Sequence, residues 1–152
     1  MENMVVLSLM AATMFVNAFS HDSPGLMTMA EYGAASAVVR SQITAFKNKS
    51  PTFCVAARPY DAPPTELLNY LRNHGLKVLS RPACLKRGGI EIDFSKLDRT
   101  SAGDLFITAR VVDLTDTAAH VGVRLRFGVY HLKKDGGRWR ILDYKDLGET
   151  PD

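Results

Sequence analysis

The feature that most constrains the fold is a long alternation in the second half of the chain. In residues 104–112, Leu105, Ile107, Ala109 and Val111 alternate with Phe106, Thr108 and Arg110. After a turn at 113–117, Val121, Val123, Leu125, Phe127 and Val129 alternate with Gly122, Arg124, Arg126, Gly128 and Tyr130. A period of two puts successive side chains on opposite faces of a strand. Asp135-Gly136-Gly137 has the residues of a tight hairpin, and Trp139 and Ile141 return on the inward parity. These runs predict an antiparallel meander. Gly122 and Gly128 inside one strand predict bends or bulges, hence a curved sheet.

The first half carries helix signals. Thr28 and Glu31 have capping-box spacing, and Tyr32, Ala35, Val39, Ile43 and Phe46 draw one apolar stripe before Pro51 stops the helix. A short strand at 52–57 leads through Pro59, Pro63 and Pro64 to a second helix, whose buried face is Leu67, Leu68 and Leu71 and whose end is Gly75. Strands follow around 76–80 and 90–94. Helices and strands are segregated, so the expected class is α+β. The long N-terminal helix and the short second helix pack on a curved, mainly antiparallel sheet of five or six strands ending in the meander.

Residues 4–19 are apolar except for Ser8, Thr13 and Asn17. That is short for a membrane span but suits the core of a secretory signal peptide. Ala18 and Ser20 supply small residues for cleavage before His21. Against this, Glu2 stands where a Lys or Arg is usual, so an N-terminal anchor and an apolar helix packed on the domain stay open. The expected organisation is a leader or anchor at 1–20, one α+β domain at 21–146 and a frayed tail at 147–152, in a periplasmic or secreted protein without a stable span in its mature chain. The 152 residues hold 19 Lys and Arg against 16 Asp and Glu. Removing Glu2 with the leader raises the net charge only to +4, and nothing concentrates it as a specific nucleic-acid binder would.

The strand cysteine Cys54, the Pro-rich turn into Leu67-Leu68, the second cysteine Cys84 and the closing Gly137-Arg138-Trp139 strand form one pattern. In this the chain resembles small exported bacterial proteins of unknown function, with the cone-shaped NTF2-like or cystatin-like fold. The resemblance implies a fold and transfers no activity.

Cys54 and Cys84 are an even pair, which in an exported protein reads most simply as a disulfide. Buried free thiols and a reactive thiol are the alternatives, although neither a Cys-x-x-Cys spacing nor a neighbouring His favours reactivity. No metal-ligand spacing, phosphate loop or nucleophile motif is present, so no metal or cofactor is expected. His74, just before Gly75, suits a partner of the helix dipole.

Two groups of residues are candidate sites. On the outward parity Arg110, Arg124, Arg126, Arg138 and Arg140 would share one sheet face, a surface for an anionic ligand or an acidic protein; a merely solvated face is the alternative. On the inward parity Asp143, with Tyr32 on the helix, would be the acid–base pair of an apolar cone. The expected function is thus a non-enzymatic binding domain using the basic face. A small NTF2-like enzyme or small-molecule binder, and a purely structural accessory domain, are the alternatives.

Overall fold

The computed structural model describes residues 27–46, 52–57, 65–113 and 124–148. The leader at 1–20, its cleavage point, Pro51, Pro59, Pro63, Pro64, Val121, Gly122 and Val123 lie outside the described residues. Six strands form one open sheet: β1 (Thr52–Ala57), β2 (Val78–Ser80), β3 (Gly89–Arg99), β4 (Leu105–Asp113), β5 (Arg124–Asp135) and β6 (Arg138–Gly148). Their order is β2-β1-β3-β4-β5-β6. Among the described residues three α-helices accompany them: α1 (Tyr32–Ala45), α2 (Thr65–Asn73) and α3 (Arg81–Arg87). Of the long N-terminal helix expected, the structure shows this fourteen-residue α1.

The class is α+β, and the sheet is mixed, with three antiparallel pairings and two parallel ones. β1 pairs in parallel with both β2 and β3, whereas β3, β4, β5 and β6 form the antiparallel meander. Parallel neighbours need crossovers, and α2 and α3 are those crossovers. The chain steps from β1 outward to β2 and then back past β1 to β3. A constant crossover hand requires the two connections to run over opposite faces. Accordingly Leu67 and Leu71 of α2 pack with α1 on one face, while Ala83 and Cys84 of α3 pack on the other.

The main core lies between α1, α2 and the first face. Phe94, Ile90, Ile92, Leu97, Ile107 and Leu132 are fully buried there. The stripe on α1 includes Tyr32, Ala35 and Val39 as the spacing predicts, and it widens to Ala34, Ser36, Val38 and Gln42. Glu31 closes the capping box: its Oε1 accepts from the Thr28 N–H at 2.9 Å. The first turn is 3-10, and the α-helix begins only at Tyr32.

The second face carries a smaller cluster around the Cys54–Cys84 disulfide, whose Cα atoms are 6.0 Å apart. Val112, Leu79 and Leu125 pack with it. Gly89 sits where β3 begins beside β1. A Cβ there would press on the Thr52 carbonyl oxygen and come within 2.9 Å of Cys84 Sγ. Thr52 is the in-register partner of Gly89, so backbone must move to relieve the clash. Gly89→Ala is expected to cost about 2 kcal/mol through overpacking, read as a lower urea midpoint; an unchanged midpoint would show that the strands can spread.

The β4 parity is as expected, with Leu105, Ile107, Ala109 and Val111 buried. On β5 the expected parity is reversed. Val111 lies opposite Arg126, Ala109 opposite Gly128 and Ile107 opposite Tyr130, so the even-numbered residues share the main core face. Leu125, Phe127 and Val129 lie on the second face with Val112, Arg110 and Thr108. On β6, Trp139 and Ile141 face the core, but bulges at Leu142 and Leu147 each insert one residue. A single inserted residue moves everything after it to the other face. Asp143 therefore pairs with His131 on the second face and is not inside a cone.

The two sheet edges differ in length. β2, of three residues, has its Val78 carbonyl taken by Arg72 Nε at 3.0 Å. β6, of eleven residues, extends to Gly148, two residues past the expected domain boundary. Along it the Tyr144 N–H donates to the Asp143 carboxylate at 2.9 Å and the Gly148 N–H to Asp146 at 2.8 Å.

Candidate functional site

The C-terminal end of α2 organises the most distinctive surface. Gly75 takes a left-handed φ of 83°, and the Leu76 N–H returns to the Leu71 carbonyl at 3.1 Å, closing the helix as its glycine predicts. Arg40, on the outer flank of α1, donates to the His74 carbonyl, tying the two helices together. His74 Nδ1 lies 2.8 Å from the Tyr70 carbonyl. A carbonyl oxygen only accepts, so Nδ1 carries the proton and Nε2 is left as the ring's other polar atom. The imidazole stacks on Tyr70, with ring centroids 3.9 Å apart.

Two clefts flank this end of α2 and share Arg40. The larger, about 1150 Å³, runs along the β2 edge, with Ile43, Phe53 and Leu76 as its apolar surface and Arg40, Arg72, Lys77 and Arg87 as its charges. The smaller, about 580 Å³, lies between α1, α2 and the β5–β6 hairpin. Gly33 forms part of its floor, and Tyr70, His74 and Trp139 supply rings. Trp139 is held in place by its Nε1–H, which donates to the Ala30 carbonyl at 2.8 Å. Lys134 lies 5.9 Å from the Trp139 ring centroid, within reach of a cation–π contact. Arg40, Lys134 and Arg138 are the charges. Among the described residues, the two clefts are lined by six different cations and by no carboxylate.

The acids are engaged elsewhere. Glu31 forms a two-point ion pair with Arg99, at 2.6 and 2.7 Å. Buried Glu91 meets Arg81 at 3.3 Å and buried Asp93 meets Arg110 at 3.4 Å, both on the second face. Asp104 bonds His131 Nε2 at 2.9 Å, and Phe106 stacks on that imidazole with centroids 4.4 Å apart.

The five arginines do not share one face. Arg110 is half-buried against Asp93. Arg126 points to the core side of the sheet end, paired with Asp146. Arg140 is exposed beside Asp135 at 3.6 Å, and the side chain of Arg124 is not among those described. Of the four whose side chains are described, Arg138 alone lines one of the two clefts. The Tyr32–Asp143 pair is likewise separated. Tyr32 is buried under α1 against Tyr70, and burial, with Glu66 nearby, pushes its hydroxyl pKa up. Asp143 is exposed and lies on the other face.

Both cysteines are in the disulfide. Among the described residues no group of three or more His, Cys, Asp or Glu side chains gathers as a metal site would require, and no helix is long and apolar enough to cross a membrane. What the arrangement offers chemically is recognition of negative charge beside flat rings. Arg40 and Tyr70 went unremarked in the sequence because each lies off the apolar stripes, and His74 was read only as a partner of the helix dipole. A signal was nevertheless present: Ala30, Gly33, Ala37 and Arg40 step by three or four along one flank of α1 and the 3-10 turn before it, and small residues there leave room for a cleft. No family model, curated protein or solved structure matches the chain.

Proposed function

We propose that the protein is an exported, non-enzymatic binding domain for an anionic ligand or an acidic partner, and that it works through the clefts flanking α2 rather than through the outer face of the meander. The observation that carries this reading is that, among the described residues, cations and no carboxylate line both clefts. Unpaired like charges repel, and an external anion relieves that repulsion. The disulfide suits an oxidising compartment, and the resemblance to small exported bacterial proteins belongs to the same reading.

The test is the affinity of the oxidised protein for fluorescently labelled poly-L-glutamate, measured by anisotropy at low and physiological ionic strength. Binding should weaken with salt. The triple variant Lys77→Gln/Arg87→Gln/Arg138→Gln should bind roughly tenfold more weakly, the sum expected of exposed charge contacts. The control Arg126→Ser/Arg140→Ser should match the wild type. Equal affinity of the triple variant and wild type, or indifference to salt, would remove the clefts from the function.

A further inference from the structure

We infer that the smaller cleft selects small anions carrying a flat ring, an aromatic carboxylate or phosphate, over anions without one. This rests on the reading of the clefts as anion sites and adds a ligand class to one of them. Its rings set it apart. The larger cleft has a single ring, Phe53, whereas the smaller one has Tyr70, His74 and Trp139. Gly33 brings two of these walls together at its floor: a Cβ on it would lie 3.0 Å from Trp139 Cδ1 and 3.4 Å from the Tyr70 hydroxyl. Tyr70 and His74 are stacked face to face, 24° from parallel, so the stack leaves an outer ring face on which a flat ligand can continue it.

Both walls are fixed from behind. The Trp139 indole is bonded to Ala30 and the His74 ring to Tyr70, so little rotamer freedom is lost when a ligand enters. A volume of about 580 Å³ lies within the range of small-molecule sites. The charges Arg40, Lys134 and Arg138 all come from outside the stacked Tyr70–His74 pair, which leaves that pair free to meet a ring while a guanidinium or ammonium meets the anion.

Trp139 is the only tryptophan in the chain, so its emission reports on this cleft alone. Titrations with benzoate and cyclohexanecarboxylate, and with phenyl phosphate and inorganic phosphate, separate the ring from the anion and the carboxylate from the phosphate. The ring-bearing member of each pair should quench Trp139 and bind about tenfold more tightly, the scale of one stacking contact. Tyr70→Leu should erase the preference while leaving poly-L-glutamate binding in place. Should Tyr70→Leu not fold, Gly33→Ala, which puts a methyl group between the walls, should lower affinity for the ring anions only. Equal binding within each pair, or a ring preference that survives both variants, overturns the inference. Poly-L-glutamate binding without ring preference would overturn this inference and leave the anion site standing. Loss of all binding would overturn both.

Discussion

Replacing both cysteines, as Cys54→Ala/Cys84→Ala, is expected to lower stability by about 3–4 kcal/mol. The bridge joins residues thirty apart in sequence, and closing a loop of that length removes much of the unfolded chain's freedom. The native side matters as well. α3 has seven residues, too few to persist as an isolated helix in water. The apolar cluster beneath it is small, with Cys54, Cys84 and Val112 as its buried members. Without the bridge α3 is held by this cluster and by the Arg81–Glu91 ion pair at its first residue, and its amide protons should exchange faster than in the wild type. Denaturation in urea should show a drop in midpoint together with a fall in Tm of roughly ten degrees. Should oxidised wild type and variant unfold at the same urea concentration, the disulfide is dispensable and the second face is held by other contacts.

Arg99→Met is expected to cost about 3 kcal/mol, because removing one member of a buried pair strands the other. Glu31 is 7% exposed and anchors the turn that starts α1 to the end of β3. Burial raises its pKa, but the two bonds from Arg99 and those from Thr28 outweigh burial, and its carboxyl is held below the usual glutamate range. A depressed folded value means that the pair stabilises the native state fully above the ordinary glutamate titration, and that this is lost as pH falls through the depressed value. Wild-type stability should therefore decline on the acid side. In Arg99→Met the carboxylate keeps its burial and loses its partner, so its pKa rises and acid no longer weakens the fold through this group. Unfolding free energy measured across the acid range distinguishes the two. Parallel pH profiles for wild type and Arg99→Met would mean that the pair contributes nothing to stability.

How far the sequence alone reached follows from which signals were local. The cap at Thr28, the α1 stripe, the end of α2 at Gly75 and the β4 alternation are short-range patterns, and each corresponds to an observed element. The cysteine pair was legible from compartment and parity of count. The parity of β5 was not, because both of its faces are apolar. Tyr130 and Leu132 are buried on one, while Leu125, Phe127 and Val129 are half-buried on the other, and pattern alone cannot rank them. The bulges at Leu142 and Leu147 turn on a one-residue mismatch with β5 that leaves no mark in composition, and the first of them moved Asp143 away from Tyr32. The clefts are a tertiary product. They bring α1, α2 and the last hairpin together, and their charged residues are spread from Arg40 to Arg138.

The carboxylates along β6 have a consequence for how this molecule behaves in concentrated solution. A long outer strand is a template on which another copy can add its own strand. Here Asp143 and Asp146 occupy the Tyr144 and Gly148 N–H groups that such an addition would use. Leu142, Tyr144 and Leu147, three of the four exposed large hydrophobic side chains among the described residues, lie on the same strand. Deterrent and hazard thus share eleven residues, and the deterrent is ionic. The bond from the Gly148 N–H, with Arg126 assisting, holds the Asp146 carboxyl below the usual aspartate range, so that guard persists well into acid. Protonation weakens it, so edge-to-edge addition at β6 is expected to begin only in strongly acidic solution, where light scattering should rise above its value at neutral pH.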